Sequence, residues 1–128
     1  MKQWYFLVFL ALPCMVYSKP VSTMPLVARD CKVNIDIARR DIPPTPHQLS
    51  LPQFGQGIIG WGTGPEGAHS KLETLNQDDI AKYQEQGVNL LMIKDWYDFY
   101  VNETARNPCN PTAPLRAKLM YKIMQLWP

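Results

Sequence analysis

The sequence predicts a mainly α-helical, compact three-helix domain with a glycine-rich loop, an extended N-terminal arm and one disulfide. Three observations support this: helical spacing of apolar residues from Leu72 to the C-terminus, four prolines within residues 43–52, and two cysteines left after an export signal. The chain has 128 residues, enough for one domain with a single core. The predicted divisions are a signal peptide (1–18), an extended proline-rich arm (19–53) and a glycine-rich loop plus helical domain (54–128).

The first eighteen residues have the features of an export signal. Lys2 precedes an apolar run from Trp4 to Val16, which is shorter than the ~20 residues that span a bilayer as a helix. Cleavage is expected after Ser18, which predicts a periplasmic or secreted protein without stable membrane insertion. The alternatives are a buried core helix and a lipid anchor on Cys14, which the preceding Pro13 disfavours.

Removal of residues 1–18 leaves two cysteines, Cys31 and Cys109. An even number in an oxidising compartment favours a disulfide between them, and two unpaired buried thiols are the alternative. Two cysteines and two distant histidines do not make a zinc signature, so no metal site is predicted.

The charge balance limits the classes of partner. Thirteen basic residues face eleven acidic ones, a net charge of +2. Nucleic-acid binding requires a basic face, and peripheral membrane binding requires a basic cluster, so neither is expected. A protein or an envelope component is the expected partner, with no cofactor.

The arm is expected to run extended over the surface. Residues 33–37 alternate apolar and polar side chains, which predicts a short strand or extended segment. The prolines of residues 43–52 then fix φ and remove backbone donors, which excludes a helix. His47, within this stretch, is interpreted as a solvated loop histidine.

Capping residues delimit three helices. Asn76 or Thr74 can cap the first helix, and Gly87 fits its C-terminal end. Asn89 caps the second helix, whose apolar residues form a wide aromatic face, and Asn110 caps the third. The predicted helices lie near 75–87, 89–106 and 110–127.

Six of the seven glycines lie between Phe54 and Ser70. Residues 55–60 spell G-x-G-x-x-G, but Pro52 interrupts the strand that a dinucleotide site needs, and no βαβ unit follows. A Walker loop is excluded because the required lysine is absent. We interpret the stretch as two turns around an apolar insert that places Ile58, Ile59 and Trp61 in the core.

The same stretch could instead form the rim of a cleft. Candidate acid–base residues are carboxylates and a histidine, because paired carboxylates perform general acid–base catalysis when burial separates their pKa values. Candidate binding residues are aromatic or polar. For Arg116 the favoured alternative is a structural role, a planar, multidonor contact to carbonyls or a carboxylate of the glycine-rich loop, with Glu66 the nearest candidate. The catalytic candidates are Glu66, His69, Asp95 and Asp98; the binding candidates are Trp61, Thr63, Trp96, Tyr100 and Arg116.

Three segments together resemble a known family: FGQGIIGWGTGPEGA, KDWYDFYVNE and RNPCNPTAPLRAKLMYKIMQL. They are similar to a small bacterial domain of unknown function found in secreted proteins and at the C-termini of Rhs-type polymorphic toxins. The resemblance covers roughly residues 54–126 and implies either a binding role or an effector activity.

Two functions are therefore expected. The first is a small secreted or periplasmic domain that binds a partner protein or envelope component. The alternative is a toxin-like effector with hydrolytic activity in the envelope.

Overall fold

A computed structural model describes residues 31–128 and shows a mainly helical protein. A π-helix, Gly55–Ile59, directly follows the first α-helix. The described part of the chain contains no β-strand, and none of its helices is long and apolar enough to cross a membrane. The predicted signal peptide and the first part of the arm lie outside the described residues. The α-helices are α1 (Leu51–Phe54), α2 (Gly64–Thr74), α3 (Gln77–Glu85), α4 (Leu90–Arg106) and α5 (Ala113–Leu126).

The predicted caps of α3 and α4 are confirmed. Asn76 accepts the backbone N–H of Asp79 at its side-chain Oδ1, and the Asp79 carboxylate accepts the N–H of Asn76 in return. Gly87 follows α3 with a φ of 87°, in the left-handed region that glycine tolerates. Asn89 accepts the N–H of Met92 over 2.9 Å at the start of α4. Local sequence chemistry therefore sets these helix ends.

The predicted count of three helices is wrong, because residues 31–128 already contain five α-helices. Most of the predicted glycine-rich loop is helical. Gly55 and Gly57 lie in the π-helix. Gly60 and Gly62, in the corner before α2, and Gly64, the first residue of α2, take positive φ. The short α1 was also missed, although Ser50 and Gln53 form a capping box at its start.

Two further local predictions are corrected. Residues 33–37 do not form a strand, because the chain turns there and Ile37 N–H donates back to the carbonyl of Asn34. The last helix begins at Ala113 rather than near 110. The side chain of Asn110 accepts the N–H groups of Thr112 and Ala113, so it stabilises the turn that leads into α5.

The core forms where α4 packs against α5, and α2 and the π-helix also pack against α5. Ile58 and Ile59 are fully buried, as predicted, whereas Trp61, the third residue of the predicted insert, is only partly buried against the core. The largest fully buried side chains are Trp96, Phe54, Ile58, Ile59, Ile80, Ile93, Leu119, Met120 and Ile123.

The arm runs antiparallel along α4. The N–H of Asn34 donates to the carbonyl of Arg106 (2.7 Å), and the indole N–H of Trp96 donates to the carbonyl of Pro44 (3.3 Å), ten residues further along the arm. The Cys31–Cys109 disulfide, which was predicted, fixes the start of this arm beside the end of α4. The arm is therefore packed along α4 as part of the folded domain.

Candidate functional site

A cleft of about 310 Å³ lies between the arm and the helices. The arm contributes one side, α4 forms the floor, and the corner after the π-helix and the start of α5 complete it. The lining residues are Arg39, Ile42, Trp61, Trp96, Phe99, Tyr100, Glu103, Asn110 and Arg116. The cleft therefore combines aromatic surfaces with charged and amide groups.

The backbone at Gly55 positions Trp61. The carbonyl of Gly55 accepts the N–H groups of Gly60 and Trp61, over 2.7 and 2.8 Å, and this closes the π-helix. The Trp61 ring lies directly on Gly55, where a Cβ atom would overlap it. Its indole N–H donates to the Tyr100 hydroxyl over 2.7 Å. Trp61 is thus held by both its backbone and its side chain.

Tyr100 and Arg116 form the centre of the cleft. The Arg116 guanidinium carbon lies 5.9 Å from the centroid of the Tyr100 ring, a cation–π arrangement. The Nε atom of Arg116 is buried and has no hydrogen-bond partner within residues 31–128. Burial raises the pKa of Tyr100, while the donated N–H of Trp61 and the charge of Arg116 oppose that rise. The tyrosine is therefore a neutral hydrogen-bonding group at neutral pH.

The residues that line the cleft carry a net positive charge. Arg39 and Arg116 contribute two cations, and Glu103 contributes a carboxylate. That carboxylate is held by the Arg106 guanidinium, with N–O distances of 3.0 to 3.2 Å in a mostly buried pair. Arg39 is exposed at the arm side, so its charge faces solvent at the mouth of the cleft.

The structure brings together four of the five predicted binding residues: Trp61, Trp96, Tyr100 and Arg116. Thr63 is outside the lining; its hydroxyl donates to the carbonyl of Gly60 over 2.6 Å and closes the corner before α2. The expected contact between Arg116 and Glu66 is absent from the ion pairs of the described residues, because the guanidinium lies over Tyr100 instead.

The four catalytic candidates do not line the cleft. Glu66 and His69 are exposed on α2, where His69 Nδ1 lies 3.6 Å from the Glu73 carboxylate. Asp95 and Asp98 are partly exposed on α4, and Asp98 pairs with Lys94 at 3.0 Å. Within residues 31–128, no group of three or more histidine, cysteine or acidic side chains could hold a metal ion.

Sequence reasoning missed the other lining residues, of which Arg39 and Ile42 come from the arm. Phe99 and Glu103 had a detectable signal, because they share the helical face of α4 with Trp96. The arm residues had none, since nothing in a proline-rich segment predicts which helix it crosses.

A second depression, of about 440 Å³, lies between α4 and α5 on the far side of α4. Tyr97 and Tyr121 approach there with ring centroids 5.9 Å apart, and Val101 is partly exposed beside them. This surface is almost entirely apolar and lacks the convergent polar groups that fix a ligand's orientation. The cleft at Arg116 is therefore the stronger candidate site.

Comparison with known proteins gives a family without an assigned activity. No curated protein matches the chain. A solved structure, the NMR structure of a protein from Acinetobacter baumannii, is similar at 49% identity and a TM-score of 0.62, covering 75% of this chain and 90% of that chain. Residues 29–127 match the family described as "Domain of unknown function (DUF4951)", and the chain therefore belongs to that family.

Proposed function

We propose that this protein is a small periplasmic or secreted binding domain, and that its cleft accepts a group presented by a partner protein or an envelope component. The observation that carries the proposal is the convergence of Trp61, Tyr100 and Arg116 in one cleft bounded by the arm. Such a site, which combines aromatic surface with convergent polar groups, has features of a ligand pocket.

The residue types of the cleft favour binding. Tryptophan, tyrosine and arginine are enriched among the residues that dominate binding energy at protein interfaces. Trp61 and Arg116 are each partly exposed, so a ligand can reach both side chains. Their neighbours fix their positions, which lowers the entropy lost on binding.

The disulfide supports the proposed compartment. Cys31 and Cys109 are joined across 78 positions, and such bonds persist mainly in oxidising compartments. An extracellular or periplasmic location is compatible with this bond. Secretion itself depends on the predicted signal peptide.

The hydrolytic alternative stays a prediction. Its four candidate residues lie on exposed or partly exposed helical surfaces, and two of them already pair with neighbours four residues away. Acidic residues in such positions commonly form a solvated helix surface. We therefore propose binding, with no reaction assigned.

The proposal is tested by capture from a bacterial envelope extract. Immobilised wild-type protein, Arg116→Gln and the surface control Lys82→Gln are incubated with the same extract, and the retained protein or polysaccharide is identified. Arg116 lines the cleft, whereas Lys82 is exposed on α3. We expect one component to be retained by wild type and Lys82→Gln and lost from Arg116→Gln. Equal retention by all three proteins, or retention by none, would contradict the proposal.

A further inference from the structure

We infer that the cleft binds a carboxylate carried next to a flat apolar group, with Arg116 as the carboxylate-binding residue. This inference rests on the proposed binding function and specifies the chemistry of its ligand. It depends on three independent features: an unsatisfied guanidinium donor, the charge of the lining and the aromatic walls.

The donor is the first feature. Arg116 Nε is buried without a hydrogen-bond partner in the described part of the chain. Buried polar groups are nearly always paired, so an unpaired donor on a charged group requires an explanation. The planar guanidinium presents parallel N–H groups that match the two oxygens of a carboxylate. Arg116 lines the cleft and is partly exposed, so its guanidinium is placed to make that contact.

The charge of the lining is the second feature, and it favours an anion. Arg39 and Arg116 line the cleft together with Glu103, whose carboxylate is already paired with Arg106. A negative group therefore gains from the two arginine charges at little cost from the paired carboxylate. Inorganic phosphate shares the negative charge but has no apolar group to lie against the aromatic wall, so it should bind more weakly than benzoate.

The walls are the third feature. Trp61 is partly exposed, and its ring meets the Trp96 ring edge-on at 6.0 Å. Trp96, Phe99 and Tyr100 are buried behind it, with the Phe99 and Tyr100 centroids 5.2 Å apart. A planar or apolar substituent on the carboxylate would lie against the exposed part of the Trp61 ring, which these buried rings support. Terminal carboxylates of peptides with an apolar last residue belong to this chemical class.

The test uses benzoate and its neutral isostere benzamide as probes of the 15N-labelled protein by NMR titration. The reporter is the indole N–H resonance of Trp61, because that group donates to Tyr100 inside the cleft. We expect benzoate to give saturable shifts with a dissociation constant in the millimolar range, appropriate to a small fragment. Benzamide should bind at least tenfold more weakly, and inorganic phosphate should bind more weakly than benzoate.

Three variants, at two positions, separate binding from folding. Arg116→Gln should weaken benzoate binding at least tenfold, and Arg116→Lys should recover only part of the loss because it lacks the planar donor pair. Arg39→Gln changes an exposed residue that the core does not need, and it should weaken binding about threefold. Amide spectra of each variant establish that the fold is retained. If Arg116→Gln fails to fold, benzoate binding by Arg39→Gln still tests whether the positive charge of the cleft contributes to carboxylate binding.

Benzamide binding as tightly as benzoate, tighter binding of phosphate, or no saturable shift at Trp61 would overturn the carboxylate assignment. These results are distinguishable from failure of the proposed function. Arg116-dependent capture of an envelope component without benzoate binding would leave the binding function in place and overturn only the ligand class.

Discussion

The indole N–H of Trp61 donates to the hydroxyl of Tyr100 over 2.7 Å, across 39 positions of the chain. The bond joins the corner after the π-helix to the middle of α4 and fixes two walls of the cleft relative to each other. Tyr100 is buried and Trp61 is partly exposed, so the bond lies at the boundary between core and site. Its loss should affect stability and ligand binding together.

Trp61→Phe and Tyr100→Phe, combined in a double-mutant cycle, measure this bond. Each single substitution should lower the free energy of unfolding by roughly 1–3 kcal/mol, because it leaves a partner polar group unpaired and, at Trp61, removes ring area. The double mutant should be less destabilised than the sum of the two, with a coupling energy of about 1 kcal/mol. Chemical denaturation of the four proteins checks this, and strict additivity would contradict the predicted bond.

Gly55 and Gly57 offer a matched pair of substitutions within the same π-helix. A Cβ atom at Gly55 would overlap the Trp61 ring, whereas one at Gly57 meets no atom within 4 Å. Gly55→Ala should therefore displace Trp61 and cost about 1–3 kcal/mol of unfolding free energy through overpacking. Gly57→Ala should be neutral or stabilising by up to about 1 kcal/mol, because alanine restricts the unfolded chain. Thermal melts of both variants test the contrast, and equal effects would contradict it.

The helices α3, α4 and α5 were predictable because their signals are local. Asn76, Gly87 and Asn89 set helix ends through contacts within a few residues, and such contacts are visible in sequence. The π-helix had no such signal, since glycine is, after proline, the residue least expected in a helix interior. Glycine is required at position 55 because a Cβ atom there would overlap the Trp61 ring. That requirement comes from a tertiary contact, which the local sequence does not show.

The residues of the cleft were predictable only in part, because some of them are brought together by tertiary contacts that the local sequence does not show. Trp96 and Tyr100 share one face of a helix, so their proximity follows from periodicity. Arg116 reaches them because α5 packs against α4, and Arg39 reaches them because the arm follows α4. The positions of Arg116 and Arg39 depend on long-range packing, which local sequence patterns do not show. For this reason the sequence predicted a contact between Arg116 and Glu66, whereas in the structure Arg116 lies over Tyr100.

Asn102 attaches the arm to α4 with both ends of its side-chain amide. Its Oδ1 accepts the N–H of Arg40, and its Nδ2 donates to the carbonyl of Ala38, each over 3.1 Å. Asn102→Ala should speed amide hydrogen exchange at Arg40 by about tenfold, because local opening of the arm becomes easier. Asn102→Asp keeps the acceptor and should show a smaller effect. Unchanged exchange in the alanine variant would contradict this role for Asn102.

The Cys31–Cys109 bond closes a long loop, because the two cysteines are separated by 78 positions in the sequence. In the chain-entropy account, a loop of this length contributes about 4 kcal/mol to stability. The double variant Cys31→Ser/Cys109→Ser should therefore melt roughly 15 °C or more below the oxidised wild type. Reducing agent should lower the wild-type melting temperature and leave the double variant unchanged. A reductant-insensitive melt of the wild type would contradict the contribution assigned to this bond.

Tyr83 gives the protein a predictable response to alkaline pH. Burial in α3, together with the negative charge of Asp79, raises the pKa of Tyr83 to about 12. In the unfolded chain the phenol titrates near its ordinary pKa of about 10. The unfolded state therefore releases its proton first, so the stability due to neutral Tyr83 is complete below pH 10 and is lost as pH rises toward 12. Tyr83→Phe should remove this part of the pH dependence, whereas Tyr121→Phe, at a side chain that is 51% exposed, should retain it. Thermal melts between pH 8 and pH 12 provide the measurement, and an equal alkaline decline in wild type and Tyr83→Phe would show that Tyr83 is not its source.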